Sequence, residues 1–534
     1  MDQAALEKLP DDSKSLKQII NDLHKKYKEE LDKKEQANLI LEEQNKLLRH
    51  KLYGKSSEKS GSGNNDQPGL FNEAEVGADE IENEKASEEQ VSYVKGHKRK
   101  KRGRVSLPPD LPREEIIHDL SDDEKKCDCC DKELPCIGSD TSEELEIVPP
   151  KFKVFKHVKL KYGPCDCKES QLKEKSVIKT AKAPARLLPG SIASPGLLAF
   201  ILVSKFVDAL PFYRLEKILK RYGIDLPRMT MCNWAIKAAS RCQELLEIMD
   251  EAIKSSSLIQ MDETSLQVIC EPGRSPAKKS YMWVRVGYSE NKPIILFNYH
   301  RSRSKAIPLK LLNTYTGYLQ TDGYSGYDDA GELPGIVHVG CLAHCRRKFD
   351  EASKAGKNKS SSHVVLSYIR ALYKIEKDLR EELDDGVISN DDFVKKRKKL
   401  SLPVLEKLKN WLDKKSLNIP PETLIGKAVS YTLGQWSKII KYLDNWILTP
   451  DNNKAENAIR PFVIGRKNWL FSYTPRGAHA SAALYSLVET AKANGLEPYY
   501  YLKYLFTRLP QVENKDELKK LLPTSIDPSQ LLDQ

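Results

Sequence analysis

Three carboxylates in this 534-residue chain stand where an apolar run gives way to a turn or a polar helix start. They are Asp262 in "SSSLIQMDETSLQVI", Asp322 in "TGYLQTDGYSGY" and Glu456 in "TPDNNKAENAIRPFVIGRKNWLF". Two carboxylates brought side by side repel each other and lose hydration unless a divalent cation lies between them, and hard oxygen ligands favour magnesium or manganese. A third carboxylate completes such a cage. Glu456 follows an Asn-rich turn, with Asp451 read as the helix cap, and Arg460 follows at i+4 on the same face. That spacing sets a metal ligand beside a cation suited to a phosphodiester. Arg466 and Lys467 extend the phosphate contact, and Trp469, Leu470 and Phe471 are read as anchoring the segment. Each carboxylate also has a plainer reading: Asp262 capping a strand, Asp322 opening a turn, Glu456 merely pairing with Arg460. Glu263, Asp328 and Asp329 are read as solvated or turn-forming neighbours. His344, Arg346 and Arg347 in "GCLAHCRRKF" are open between nucleic-acid contact and surface charge.

The elements that must position these groups are legible around them. Three strand-like runs, "SSSLIQMDETSLQVI", "SYMWVRVGYS" and "PIILFNYH", form a meander. A short helical segment, "SRSKAIPLKLLN", precedes a fourth strand that delivers Asp322, and "GIVHVGCLAHCRRKFDEA" supplies a fifth strand and a helix. Three antiparallel strands, then helix, strand, helix, strand and helix, is the order of the ribonuclease-H-like mixed sheet. In that arrangement the first and fourth strands are neighbours, so Asp262 and Asp322 face each other from sixty residues apart. The predicted fold is therefore multidomain α/β, with a ribonuclease-H-like catalytic domain over 249–480, a Lys- and Leu-rich helical insertion at about 357–448, and a C-terminal helical segment over 481–534.

Upstream the chain changes character several times. Residues 1–55 are read as a coiled-coil oligomerisation segment: Ile20, Tyr27, Leu31, Leu41, Leu48 and Leu52 share a heptad frame that His24, Lys34, Asn38 and Asn45 interrupt, with a solvated single helix as the alternative. Residues 56–105 are a flexible linker, acidic and then basic. Its end, "KGHKRKKRGR", includes Lys100, Lys101, Arg102 and Arg104, suited to phosphate contacts or to a solvated tail.

Six of the eleven cysteines fall between positions 127 and 167, which in a chain without a secretory leader favours a metal over disulfides. Residues 106–175 are read as a zinc-binding domain in the manner of a zinc ribbon, two short Cys pairs around a β-rich stretch. The best ligand set is Cys127, Cys130, Cys165 and Cys167, with Cys129 and Cys136 as competitors. Residues 180–248 form a helical domain in which Pro227 to Thr230 starts a second helix with Trp234 in its core, as in a helix-turn-helix; plain helical bundles share that pattern. Lys plus Arg number 87 against 76 Asp plus Glu, a net +11 that suits a polyanionic partner. The N-terminus lacks a basic and apolar leader, and the longest apolar run, "PGLLAFILVSKFV", is broken by Lys205. A soluble, cytoplasmic protein is expected.

With these motifs on the page, the chain resembles the transposases of insertion-sequence family 66, of the acidic-triad (Asp-Asp-Glu) class. The likeness is carried by "KLYGKSSEK", "GRVSLPPDLPR", the Cys-rich segment, "DALPFYRLEKILKRYGI", "QMDETSLQV", "QTDGYSGY", "GCLAHCRRKF", "DNNKAENAIRPFVIGRKNWLF" and "SLVETAKANGLEPYYYL". It implies that Asp262, Asp322 and Glu456 are the catalytic triad, with two magnesium or manganese ions per site and a structural zinc. It also implies an enzyme that binds the ends of an insertion sequence in double-stranded DNA, cuts there and joins the 3′ hydroxyls to target DNA, acting as a homodimer or higher oligomer with small accessory proteins of the same element. A nuclease that cuts without joining, and an inactive DNA-binding descendant, are the competing readings. The chain departs from the family pattern in its tighter second cysteine pair and in "PRMTMCNW", where Ser-rich sequence is more usual.

Overall fold

The computed structural model describes residues 13–53, 151–162, 179–355 and 359–532. Two compact units emerge, one of residues 66–184 and one joining residues 1–65 to 185–534. In the smaller unit, β1 (Lys161–Tyr162) pairs antiparallel with β2 (Lys179–Thr180), and residues 151–160 have no regular structure. The β-rich stretch expected between the cysteine pairs is thus, in its described part, a two-residue ladder. Val154, Phe155, Val158 and Leu160 are all exposed, so no apolar face is buried there to sustain longer pairing. Cys127, Cys130, Cys165 and Cys167, and the basic run of Lys100, Lys101, Arg102 and Arg104, lie outside the described residues.

The larger unit is built on a five-stranded sheet: β3 (Leu258–Gln267), β4 (Lys279–Ser289), β5 (Lys292–His300), β6 (Gly317–Gln320) and β7 (Ile336–Val339). Its order is β5-β4-β3-β6-β7, with β3, β4 and β5 antiparallel and β6 and β7 running parallel to β3. The β4–β5 hairpin closes through Glu290 and Asn291, both with positive φ (49° and 65°), the backbone that a tight two-residue turn needs to match strand twist. β5 is an edge strand, and the helix Pro475–Ala493 covers it. Thr490 Oγ1 accepts from the Ile295 N–H (3.0 Å) and Ser486 Oγ from the Phe297 N–H (2.8 Å), so side-chain hydroxyls satisfy donors that a further strand would otherwise take.

One apolar core joins this sheet to the Pro475–Ala493 helix and to four helices upstream of it, Pro195–Phe206, Phe212–Arg221, Arg228–Arg241 and Gln243–Lys254. Ser194 caps the first of them, accepting from the Leu197 N–H, with Pro195 at its first position. Trp234 is buried in the third, after a turn in which Gly223 takes φ 78°. A second core lies among the helices Leu342–Ala355, Lys359–Asp384, Asn390–Ser416 and Leu424–Gly434, around Phe349, Val365, Ile369, Leu408 and Leu412. Inside it the fully buried Arg397 pairs with Glu376 (2.8 Å), which also pairs with Arg380 (3.0 Å).

The N-terminal helix, Ser13–Tyr53, rests on two of these helices, Leu342–Ala355 and Leu424–Gly434. Ile40 and Leu47 are half-buried and Glu43 is buried, while Ile20, Tyr27, Leu31, Leu41 and Leu48 of the heptad frame are exposed. Docking and heptad stripe occupy different faces. Among the described residues no helix is long and apolar enough to cross a membrane.

Candidate active site

Two buried glutamines hold the site's frame. Gln260 lies two residues before Asp262 on β3, and Gln320 two before Asp322 at the end of β6; Gln260 Nε2 donates to Gln320 Oε1 at 2.7 Å. Gln260 also ties down the start of the helix Asn453–Trp469, accepting from the Ala455 N–H and donating to the Asp451 carbonyl, while Gln320 Nε2 donates to the Thr449 carbonyl (2.7 Å). The Asn452 amide donates to the carbonyl of Met261. A single polar network therefore fixes the backbones beside Asp262, Asp322 and Glu456 relative to one another, with the Asn452 side-chain oxygen left buried and without a partner.

Asp262 is half-buried, and its carboxyl is pushed up to about 8, first by desolvation, then by the charge of Glu263, with Asp322 and Glu456 adding to it. The Glu263 N–H donates to Asp262 Oδ1 (2.8 Å) and lowers it in part. Asp322 Oδ1 accepts from the Tyr324 N–H at 3.0 Å. Glu456 faces the helix Leu342–Ala355, with Arg347 Nη2 3.3 Å from Oε2 and His344 Nδ1 3.6 Å from Oε1. Glu456 Oε1 and His344 Nδ1 are both buried without a hydrogen-bond partner. Burial lowers the His344 imidazole's pKa, against the pull of Glu456.

The ligand atoms of Cys341, His344 and Glu456 lie within 4.8 Å of one another. Burial pushes the Cys341 thiol far up, which keeps it protonated and leaves an imidazole nitrogen and carboxylate oxygens as the better donors. Among the described residues this is the group of metal-ligating side chains that comes so close together, and Asp262 and Asp322 are not part of it; an imidazole and a carboxylate suit a divalent metal ion.

The neighbouring residues sort differently from the reading of the sequence. Glu263 is not solvated: it is buried, accepts from Arg303 Nε (2.6 Å) and from the Tyr327 hydroxyl, and so already has its counter-charge. Asp328 pairs with Lys438 (2.5 Å) and Asp329 with Lys305 (2.8 Å). Asn452 stands at the N-cap position without a side-chain cap bond, while the Asp451 carboxylate one residue earlier accepts from the Asn453 N–H and from the Tyr373 hydroxyl. His344 and Arg347 turn toward Glu456, and Arg346 is exposed. Arg460 is half-buried, Arg466 leans back to donate to Thr264 Oγ1 (3.0 Å), and Lys467 is exposed.

Trp469 packs on Phe462 with ring centroids 5.4 Å apart, but Leu470 and Phe471 are exposed and anchor nothing. Leu470 turns the chain out of the helix at φ 66°, and the backbone does the anchoring. The Ser472 N–H donates to the Gln267 carbonyl, and the Ile269 and Cys270 N–H groups donate to the carbonyls of Ser472 and Tyr473. Gln260 and Gln320 went unread, although a signal existed: both strands carry Gln-x-Asp, "QMD" and "QTD".

A family model described as "Transposase IS66 family" matches residues 190–480. Models described as "Transposase C of IS166 homeodomain", "zinc-finger binding domain of transposase IS66" and "IS66 C-terminal element" match residues 40–116, 124–168 and 486–524. Among curated proteins the chain is similar to three from Sinorhizobium fredii (strain NBRC 101917 / NGR234). These are "Uncharacterized protein y4jD" (30% identical, over 80% of this chain and 83% of that one), "Uncharacterized protein y4qI" (28%, 90% and 88%) and "Uncharacterized protein y4hP" (27%, 86% and 84%). No solved structure matches the chain significantly.

Proposed function

Because the chain belongs to the IS66 transposase family, we propose that it binds the ends of an insertion sequence, cleaves a phosphodiester there and joins the freed 3′ hydroxyl to target DNA. The observation that carries this reading is the surplus of negative charge at one end of the sheet. The charges of Asp322 and Glu456 bear on Asp262, whose carboxyl is pushed up to about 8 chiefly by burial, so a bound cation would favour its ionised form. The strand order β5-β4-β3-β6-β7 supports a ribonuclease-H-like sheet, in which the first and fourth core strands bring their carboxylates together.

Asp262, Asp322 and Glu456 would hold the magnesium or manganese ions, which when bound would supply an activated water and charge stabilisation for the displacement at phosphorus. The chain's own residues do the rest. The Gln260–Gln320 network keeps the three carboxylates from relaxing apart. Arg347 and His344 hold Glu456 from the opposite helix, and Arg460, Arg466, Lys467 and Arg346 take the DNA phosphates. The cysteines Cys127, Cys130, Cys165 and Cys167 hold zinc in the end-recognition module, with Lys100, Lys101, Arg102 and Arg104 adding phosphate contacts. The heptad stripe pairs protomers, so that two element ends are held before cutting. The protein works in the cytoplasm, on double-stranded DNA.

The test is cleavage and strand transfer on a labelled transposon-end duplex with magnesium, comparing the wild type with Glu456→Gln under conditions where both bind DNA equally. Loss of both steps with binding intact is the expected result. Unchanged activity overturns the triad, and cutting without joining by the wild type reduces the enzyme to a nuclease.

A further inference from the structure

The loop that carries Asp322 is gripped by the inserted helices. We infer that Tyr431, near the end of the Leu424–Gly434 helix, is a positioning residue that holds Asp322 in place, and that Glu43 of the N-terminal helix braces the same helix from its other end. The inference rests on the reading of Asp322 as a metal ligand and names what keeps it there.

Gly323 directly follows Asp322. A Cβ at Gly323 would lie 2.3 Å from Tyr431 Oη and 2.6 Å from two of its ring carbons, while the glycine's own φ lies outside the left-handed region. The tyrosine ring, not the backbone angle, therefore demands glycine at this position. The Gly323 N–H donates to the Tyr431 hydroxyl, and the tyrosine also feels the charge of Asp322. On its other side Lys348 Nζ stands over the ring, 4.5 Å from the centroid, on the helix that carries His344 and Arg347. Tyr431 is thus a wedge between the Asp322 loop and the helix facing Glu456. The Tyr324 N–H donates to the Asp322 carboxylate and Thr321 Oγ1 to its carbonyl, and the same two residues tie the loop to the sheet and to the 301–304 turn, Thr321 Oγ1 through His338 Nε2 (2.9 Å) and the Tyr324 hydroxyl through the Arg303 carbonyl.

The far end of the Leu424–Gly434 helix is held twice. Thr423 Oγ1 accepts from the Gly426 N–H (3.1 Å), and the buried carboxylate of Glu43 accepts from the Leu424 N–H (3.3 Å), where the helix dipole favours negative charge. The two turns of helix from Leu424 to Tyr431, about 10 Å at 1.5 Å per residue, are stiff enough to carry that brace. The heptad positions Leu41 and Leu48 lie on another face and are exposed, so a second copy can pair along them while Glu43 stays docked. Assembly through the N-terminal helix and order at Asp322 would then share one rigid element.

The experiment is manganese binding to the full chain without DNA, read by electron paramagnetic resonance of the free ion, for the wild type, Asp322→Asn, Tyr431→Phe, Gly323→Ala and Glu43→Gln. Loss of a support to a ligand typically weakens metal affinity by roughly tenfold to a hundredfold. Asp322→Asn should lose the site. Tyr431→Phe, which keeps the ring but not the acceptor, should weaken binding about tenfold with its thermal midpoint and end-DNA affinity unchanged. Gly323→Ala should do the same by displacing the ring, and Glu43→Gln should weaken binding by less. Wild-type affinity in both Tyr431→Phe and Gly323→Ala, while Asp322→Asn loses the site, overturns the positioning role. Wild-type affinity in Glu43→Gln alone removes the brace. Wild-type affinity in Asp322→Asn sinks the metal reading itself, and this inference with it.

Discussion

Buried charge is handled in two opposite ways within the larger unit. In the inserted helices, Glu376 is flanked by Arg397 and Arg380, and Arg397 also donates to the carbonyls of Tyr442, Asn445 and Leu448. Negative charge there is outnumbered and tied into backbone. At the end of the sheet, Glu456 meets Arg347 and His344 and Glu263 meets Arg303, but among the described residues Asp262 and Asp322 have no ion pair. A fold that supplies two arginines to one glutamate leaves these two carboxylates without one, which is what the proposed metal site would require.

Breaking each region in turn should separate the two roles. The largest effect belongs to Asp262→Asn and Glu456→Gln, which should lower strand cleavage by roughly 10³-fold or more; Asp262→Asn, which removes repulsion, should leave denaturant stability equal to or above the wild type, and Glu456→Gln, which weakens the contacts to Arg347 and His344, should lower it only slightly. A parallel loss of stability would mean that these carboxylates are structural. Arg397→Met should do the reverse: removing one partner of a buried pair costs about 3–5 kcal/mol, seen as a lower denaturation midpoint, with cleavage per folded molecule little changed. Next in size is metal linkage. Magnesium at about a hundred times its dissociation constant should stabilise the wild type by about 2.7 kcal/mol, and Asp262→Asn by far less, in thermal melts with and without chelator.

The most specific effect is on pH. The folded Asp262 carboxyl titrates at about 8, and an unfolded aspartate near 3.9. Between those values the folded chain keeps a proton that the unfolded chain has released, so metal-free stability should fall as pH rises from about 4 to about 8. Asp262→Asn should flatten that slope. A slope of equal size in the mutant would assign it to another group.

The same contrast explains what the sequence disclosed. Asp262 and Asp322 were legible because each ends an apolar strand-like run, and strand order alone predicts which strands adjoin. Glu263 was misread because a carboxylate next to a strand end looks solvated until Arg303, forty residues away, is seen to reach it. Leu470 and Phe471 were misread as anchors because apolar side chains usually pack, whereas here backbone pairing with residues 267–270 fixes the segment and leaves the side chains outside. Tyr431 and Glu43 gave no local signal. Their partners, Gly323 and the Leu424 N–H, lie more than a hundred residues away, and nothing in the periodicity of either helix distinguishes them.

The covering of β5 has a practical consequence for anyone cutting the chain down. A fragment ending at residue 480, where the match to the main family model stops, would lack Ser486 and Thr490 and leave the Ile295 and Phe297 amides bare along an open strand. Such a fragment would polymerise edge to edge rather than remain a monomer, so the shortest well-behaved catalytic piece must extend through Ala493.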